Sequence, residues 1–463
     1  MYTMKLTPEE WSEQQFGKAN LGDVRRTRRA VKLGSQMYRQ PDKSLPAQTM
    51  SWADTKASYR LFNEEDVTFE AITEPHHQAT LAEASARPVT LMNQDSATLD
   101  FSSHPATADL GPVGDGDGWG FILHTTLAVV PSGCGEVLGM VDQRLFCRKG
   151  IHQKETKAVR RRRRRESEIW PEVVRAVGPS PAGHRWVHVC DREGDNFELF
   201  AACQEVGVDF VIRVVQDRCC APGHAADQPT EHLLRWARGL PAAGEKTLSL
   251  RQRPTRQARE ARLKLAFAPV TVFPPPGERK KYAPWRGWVV RVWEEETPQG
   301  EEPIEWVLLT PVRVQTVEEA KTISFWYSLR WLIEEYHKCL KTGCRVEDRQ
   351  LETRSGLEPC IGMLSIVAVA LLQLKFAART NPDQPARKCL SPLHVRVVAE
   401  FLRKPMSTLT AGELWRGVAR MGGFLNRKHD GDPGWQTVWR GMKKLDAMVE
   451  GARLAQSWRK KCG

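Results

Sequence analysis

Two apolar runs of strand length each give way to an aspartate, and this pattern constrains the fold of the chain most. The first run begins at Val89 and reaches Asp95, and the second is RWVHVC, directly before Asp191. Buried strands that end on polar residues are typical of an α/β sheet, in which ligands bind at the carboxyl ends of the strands. We therefore predict that both carboxylates lie at strand ends of one sheet.

Other uses of these aspartates stay open at this point. An aspartate after a strand also caps helices and forms turns. Asp100 and Asp195 lie close to Asp95 and Asp191 in sequence and are alternative candidates for the same roles. Spacing alone does not decide between them.

A predicted helix in the segment KTISFWYSLRWLIEEYHKCLKTG carries four polar side chains at regular spacing. Tyr327, Arg330, Glu334 and Lys341 fall on one narrow face at about 100° per residue. A carboxylate can hold a divalent cation, while Arg and Lys bind phosphate oxygens. A solvated face with aligned charges is the alternative interpretation. A capping box at 316–319 predicts where the helix starts, and the segment is either one helix or two.

Two strand-end aspartates and a helical glutamate suit a two-metal site for phosphoryl transfer. The chain also resembles one family along nearly its full length. The motifs that carry the resemblance are the spacing Y-(2)-R-(3)-E-(6)-K from Tyr327 to Lys341, LGDVRRTRRA at 21–30, DRE at 191–193 and MGGFLN at 421–426. They resemble bacterial cut-and-paste insertion-sequence transposases of the DDE type, in the subgroup that includes the transposase of a composite kanamycin-resistance transposon.

The resemblance implies an α/β fold with an RNase H-like catalytic core, an all-β insertion, and helical N-terminal and C-terminal domains. It implies a catalytic triad of Asp95, Asp191 and Glu334 that binds two Mg²⁺ ions per active site, with Mn²⁺ able to substitute. It also implies excision of a DNA element through a hairpin intermediate, followed by transfer of its 3′ ends into target DNA.

The resemblance further implies a set of DNA contacts. Trp306 and Trp331 match family tryptophans that stack on or brace a flipped base, although core packing is the alternative for both. Arg26 and Arg29 are the preferred contacts of the N-terminal domain. The full set is Arg25, Arg26, Arg28, Arg29, Arg213, Trp306, Tyr327, Arg330, Trp331, Lys338 and Lys341.

Three domains are predicted: a helical DNA-end-binding domain at 1–70, a catalytic domain at 71–380 with a β insertion at 216–305, and a helical dimerisation domain at 381–463. The first contains a capping box at Thr7 and a second helix from about Val24 to Arg39. Arginines at the start of that helix oppose its dipole, so we expect a local anion beside them. The run of six arginines from Arg160 to Arg165 is predicted to be a mobile surface segment or a DNA contact.

An apolar stripe near the C-terminus must be buried against something. Either it packs within its own domain, or it forms the homodimer contact that joins two DNA ends in a synaptic complex. The stripe consists of Trp435, Val438, Trp439, Met442, Leu445, Met448 and Val449.

Composition narrows the class of partner. The chain has 68 Lys and Arg against 56 Asp and Glu, a formal charge of +12, which favours a polyanion such as double-stranded DNA. The apolar run at 361–374 is too short to span a bilayer and is predicted to be a buried helix, so no membrane partner is expected. The eleven cysteines show no zinc-ligand spacing, and no zinc is assigned. We expect a cytoplasmic bacterial protein, nucleoid-associated when bound to DNA.

Two other functions compete with transposition. A stand-alone RNase H-like nuclease would keep the carboxylates without needing the N-terminal arginines or the C-terminal stripe. A non-catalytic DNA-binding regulator derived from a transposase would be expected to lose a carboxylate, whereas all three are present in this sequence.

Overall fold

A computed structural model describes residues 6–49, 51–114, 116–148, 165–225, 227–250, 258–427 and 430–461. Most of the arginine run, residues 160–164, lies outside the described residues. Its last member, Arg165, forms ion pairs with Glu168 and Glu198.

Helices make up both ends of the chain and flank a central sheet. In chain order they are α1 (Pro8–Phe16), α2 (Val24–Arg39), α3 (Leu45–Gln48), α4 (Trp52–Phe62), α5 (Phe69–Ser85), α6 (Ile169–Val177), α7 (Phe197–Val206), α8 (Leu233–Arg238), α9 (Val317–Ser328), α10 (Trp331–Lys338), α11 (Arg354–Thr380), α12 (Pro392–Leu402), α13 (Ala411–Met421) and α14 (Trp435–Lys461).

The N-terminal helices begin where the sequence predicts. Thr7 and Glu10 form the expected capping box at α1, with each side chain accepting a hydrogen bond from the other residue's amide. Helix α2 has the predicted bounds, and the Asp23 side chain caps it by accepting from the Arg25 amide at 2.7 Å. Both helix starts are therefore confirmed.

Twelve strands in the described residues form one mixed sheet. They are β1 (Val89–Asp100), β2 (Gly111–Val113), β3 (Gly118–Val130), β4 (Glu136–Phe146), β5 (Arg185–Cys190), β6 (Asp209–Arg213), β7 (Cys219–Pro222), β8 (Glu231–His232), β9 (Gly244–Leu250), β10 (Arg259–Val272), β11 (Trp285–Glu294) and β12 (Glu305–Thr310). The order is β2-β3-β1-β5-β6-β12-β11-β10-β7-β8, with β4 beside β3 and β9 beside β10. Strands β1, β5 and β6 are parallel, whereas β3 and β4 run antiparallel to β1 and β3 respectively.

The position predicted for Asp95 at a strand end is wrong. Strand β1 continues to Asp100, because its second half pairs with β3 as far as Gly120. The parallel pairing of β1 with β5, however, ends at Asn93 opposite Val189. Asp95 therefore lies beyond the end of β5, even though its own strand continues.

The prediction of an all-β insertion at 216–305 is wrong in one respect, because helix α8 lies within it. The inserted strands also do not form a separate sheet. Strand β12 pairs with β6, with Leu308 opposite Arg213 and Leu309 opposite Ile212, so the insertion continues the central sheet.

The segment that carries the four polar side chains is two helices. Helix α9 starts at the predicted capping box of Thr316 and Glu319 and ends at Ser328, and α10 starts at Trp331. A π-helical turn, Cys339–Gly343, follows. The interpretation of a single helical face is therefore wrong for the whole set, since Tyr327 lies on the first helix and Glu334 on the second.

Helix α11 is the central helix of the fold. Its stretch Arg354–Leu374 is 21 residues long and apolar enough to cross a bilayer, which corrects the prediction that the apolar run is too short. Because 89% of its most apolar window is buried inside the protein, the prediction of a buried helix is confirmed.

The apolar stripe on α14 packs within its own chain. The stripe residues Trp435, Val438, Leu445 and Val449 are buried. Met448, by contrast, is exposed. Helices α13 and α14 cross closely at glycines, since a Cβ on Gly441 would lie 1.8 Å from the Val418 carbonyl oxygen. Packing within its own domain is therefore confirmed for the buried part of the stripe, and a dimer contact through its exposed part stays a prediction.

Candidate active site

Arg330 joins two of the three predicted catalytic carboxylates. Its Nη1 lies 3.6 Å from Asp95 Oδ2, and its Nη2 donates to Glu334 Oε1 at 2.5 Å. Asp95 comes from β1 and Glu334 from α10, so this guanidinium holds the helix against the sheet.

Asp191 completes the group from the neighbouring strand. It follows the last residue of β5, and its side chain accepts a hydrogen bond from the Glu193 amide at 2.8 Å. Asp95 and Asp191 each lie two residues beyond the last parallel pair, Asn93 and Val189. The sheet therefore places the two aspartates side by side at the end of its parallel part.

The carboxylates influence each other electrostatically. Burial raises the pKa of Asp95 to about 7; the nearby charges of Asp191 and Glu334 add to this rise, and Arg330 opposes it. One guanidinium therefore leaves negative charge uncompensated. Such a group of hard oxygen donors is suited to a divalent cation.

The two alternative aspartates have other partners. Asp195 is buried, forms an ion pair with Arg218 and accepts from the amides of Val215 and Gln216 at 2.8 Å. Asp100 lies at the end of β1 and accepts from the Ser102 amide at 2.9 Å, as a turn-forming residue does. The geometry therefore favours Asp95 and Asp191 for the site.

Sequence reasoning did not assign Asn93 a role, yet this residue anchors the break between α9 and α10. Its fully buried side chain donates from Nδ2 to the Leu329 carbonyl oxygen at 3.0 Å. Leu329 is the C-cap residue that follows α9, immediately before Arg330. The bond thus fixes the start of the helix that carries Glu334 to the strand that carries Asp95.

A buried polar ladder crosses the sheet at the same level. Gln94 on β1 hydrogen-bonds to His188 on β5 at 2.7 Å and to His124 on β3 at 3.2 Å. Burial lowers the pKa of both histidines to about 3, so the ladder stays neutral at physiological pH. It ties the three central strands together without adding charge beside the carboxylates.

Aromatic and cationic side chains form a second group beside the carboxylates. The rings of Trp306 and Tyr327 meet edge to face with centroids 5.1 Å apart, and the Arg330 guanidinium lies 5.9 Å from the Tyr327 ring. Arg213 donates to the Glu305 carbonyl oxygen at 2.8 Å on the same strand as Trp306. We call Arg213, Trp306 and Tyr327 the aromatic corner.

The remaining predicted contacts of this region are more dispersed. The ring of Trp331 packs against Phe376 of α11, with centroids 5.8 Å apart, and not against the aromatic corner. Lys341 forms an ion pair with Glu347 at 3.0 Å, and Lys338 is exposed on α10.

The N-terminal arginines have the local anions that the sequence led us to expect, and these are carboxylates of the protein itself. Arg25 pairs with its own cap, Asp23, at 2.7 Å. The two preferred DNA contacts are also engaged: Arg26 with Glu64 and Asp66, and Arg29 with Asp54 at 2.7 Å.

Asp54 shows how firmly one of these pairs is held. Hydrogen bonds from Lys32 and Arg29, opposed by desolvation, lower its pKa to about 2. Arg28, by contrast, is exposed, and no ion pair of its side chain occurs among the described residues. It faces a groove that is also lined by Lys32, Gln36 and Gln48.

The donor set fits a divalent cation by chemistry but does not enclose one. Across the described part of the chain, no three His, Cys, Asp or Glu side chains converge closely enough to hold a metal ion. At Asp95 and Glu334 the reason is visible, because the Arg330 guanidinium stands between the two carboxylates. Ion binding would require Glu334 to exchange this partner.

Comparison with protein families agrees with this organisation. Residues 8–67 match a transposase DNA-binding domain, residues 153–370 a transposase DDE domain, and residues 366–462 the Tn5 transposase dimerisation domain. The DDE match contains Asp191 and Glu334 and begins after Asp95. DDE transposases use divalent metal ions. The DNA-binding domain and the dimerisation domain indicate that the partners of this protein are DNA and a second copy of the chain. The chain belongs to the Tn5-like DDE insertion-sequence transposases.

Proposed function

We propose that this transposase excises a DNA element by cutting both of its ends through hairpin intermediates and then joins the free 3′ ends to target DNA. One observation carries the proposal. Arg330 joins Asp95 and Glu334 beside an aromatic corner, and the charge of Asp191 acts on Asp95 from the neighbouring strand. Acidic oxygens next to an aromatic surface and cations suit a DNA end whose terminal base leaves the stack.

The catalytic core in this proposal has an RNase H-like fold. Support comes from the strand order β4-β3-β1-β5-β6, in which an antiparallel half carries Asp95 and a parallel half leads to Asp191. The insertion then returns the chain through β12 to the helix pair that carries Arg330 and Glu334.

Asp95, Asp191 and Glu334 would hold the metal ions, two per site, with Mg²⁺ as the ion and Mn²⁺ as a substitute. When bound, such ions activate water and stabilise the leaving oxygen at phosphorus. Arg330 then has a second function. With Glu334 turned toward such ions, the guanidinium would be free to bind a phosphate in bidentate fashion.

The other side chains position the DNA. Trp306 offers a stacking surface for the displaced base, and Tyr327 and Arg213 border it. A water cuts one strand, and the new 3′-hydroxyl attacks the opposite strand to form a hairpin. A second water opens the hairpin, after which the 3′ end attacks target DNA. All four reactions are displacements at phosphorus, so one arrangement of carboxylates and cations serves each of them.

The N-terminal domain would recognise the end of the element, and Arg28 is its strongest candidate for a DNA contact. Arg26 and Arg29 are committed to carboxylates, so their binding to DNA would first require those pairs to break. A homodimer would pair two ends before either is cut. We place the protein in the bacterial cytoplasm, at the nucleoid, because its substrate is there.

The test uses supercoiled plasmids that carry one or two copies of the terminal repeat found beside the gene. With Mg²⁺, we expect double-strand excision with hairpin ends from the two-end plasmid and much less cutting of the one-end plasmid. Equal cutting of both plasmids without hairpins would indicate a stand-alone nuclease. Binding of the ends without cutting under any divalent metal would indicate the non-catalytic regulator.

A further inference from the structure

Lys246, on insertion strand β9, reaches the aromatic corner although no motif marks it in the sequence. Strand β9 approaches α9 at Gly244, where an added Cβ would lie 2.4 Å from Val317 Cγ1. Only glycine permits this approach. Two residues further on, Lys246 Nζ donates to Ser324 Oγ on α9 at 2.5 Å.

The ammonium group of Lys246 also faces Trp306. Its Nζ lies 5.9 Å from the centroid of the Trp306 ring, and Trp306 in turn contacts Tyr327. A cation at this distance from an indole face gains a modest electrostatic attraction. Lys246 therefore borders the surface on which the proposed displaced base would stack.

Lys246 has no acidic partner among the described residues, unlike the lysine nearest to it in the insertion. Lys264 on the adjacent strand forms ion pairs with Glu245 and Glu295. Burial lowers the pKa of Lys246 to about 8, as happens to a partly buried ammonium group without a counter-charge. The fold thus keeps an uncompensated cation beside an aromatic surface.

We propose that Lys246 binds a backbone phosphate of the nucleotide whose base lies against Trp306, so that the insertion supplies part of the DNA-end site. The inference rests on the proposed function. An ammonium group has three donors, of which Ser324 accepts one, so two remain for phosphate oxygens. Arg213 borders the same surface from β6 through its bond to the Glu305 carbonyl. A base on an aromatic face with its phosphate on a cation is a complete nucleotide subsite.

The test measures how salt affects the binding of a duplex that ends in the terminal repeat. Each phosphate contact contributes about 0.7 to 0.9 to the slope of log K against log salt concentration. We expect Lys246→Met to lower the slope by that amount and Lys246→Arg to restore it. Lys264→Met is the matched control and should leave the slope unchanged, because Glu245 and Glu295 already neutralise that lysine.

A second readout follows the displaced base directly. A 2-aminopurine at the terminal position of the repeat becomes more fluorescent when it leaves the stack. We expect a smaller increase with Lys246→Met than with the wild-type protein or with Lys264→Met. If the wild-type protein cuts the ends while Lys246→Met keeps the full salt slope and the full fluorescence increase, the role of Lys246 is refuted and the proposed function stands. If the wild-type protein neither binds nor cuts the ends, the proposed function fails as well.

Discussion

Replacing Asn93 by alanine should slow DNA cleavage without preventing folding or DNA binding. The change removes the donor to the Leu329 carbonyl oxygen at the break between α9 and α10. Among the described residues, the amide oxygen of Asn93 has no hydrogen-bond partner, so its loss costs no further bond. The substitution therefore tests one bond between the strand of Asp95 and the helix of Glu334.

The magnitude follows from burial. Asn93 is 0% exposed and Leu329 is 3% exposed, so the carbonyl cannot be solvated in place of the lost donor. An unsatisfied buried acceptor costs about 1 to 3 kcal/mol. A helix start that shifts by about 1 Å to relieve this cost can reduce the rate of a positioned reaction by up to about 100-fold. We expect a reduction of cleavage by about 10- to 100-fold.

The assay is single-turnover cleavage of end DNA at saturating protein, together with the dissociation constant for the same DNA. Gln373→Ala is the control, because it also removes an amide donor to backbone carbonyls, those of Val137 and Leu138 on β4, away from the helix break. We expect it to cleave at close to the wild-type rate. If folded Asn93→Ala protein cleaves the DNA at the wild-type rate, the positioning role of Asn93 is refuted.

Three further results follow from the structure. Trp306→Ala removes a stacking surface worth about 1 to 3 kcal/mol, so hairpin formation on a denaturing gel should slow by about 5- to 150-fold, and an unchanged rate would argue against stacking. Leu445→Ala should lower the free energy of unfolding by about 2 to 5 kcal/mol, whereas Met448→Ala should change it by less than about 0.5 kcal/mol; a stable Leu445→Ala protein that fails to dimerise would contradict packing within the chain. Because the pKa of Asp54 is about 2 in the folded protein and about 3.9 when unfolded, its ion pairs contribute fully above about pH 5, and this contribution is lost as the pH falls toward 2. The difference in melting temperature between the wild-type protein and Asp54→Asn should therefore narrow from pH 6 to pH 3, and a constant difference would count against the pairs.

Local signals in the sequence predicted the elements that depend on local chemistry. The capping boxes at Thr7 and Thr316 place two helix starts, because each requires only neighbouring residues. Asp191 follows its strand as predicted, since an apolar run that stops on a carboxylate marks the end of β5.

Tertiary contacts decided the rest. Strand β1 runs past Asp95 because β3 pairs with it, and that partner lies outside the local sequence. Helix α14 would carry the same apolar stripe whether it packed within its own chain or against a second copy. The close crossing with α13 shows that its own chain covers much of it. Likewise, the sequence predicts an anion beside Arg26 and Arg29, and only the fold shows that this anion is a set of carboxylates from α4 and the loop after it.

Asn93 and Lys246 show the same limit at the site. A buried asparagine within an apolar run is an unusual choice for a strand, so the sequence contained a signal at Asn93, although not its partner 236 residues away. Lys246 is one of many charged residues in the insertion. Only the approach of β9 to α9 distinguishes it from its neighbours.

The most direct test of the account compares Glu334→Gln with Glu335→Gln in the cleavage of end DNA with Mg²⁺. The two glutamates are adjacent on α10, so both variants lose one carboxylate at nearly the same place. We predict that Glu334→Gln binds the DNA but cuts no faster than wild-type protein in EDTA, and that Glu335→Gln cuts normally. Normal cutting by Glu334→Gln would contradict the assignment of the active site to Asp95, Asp191 and Glu334.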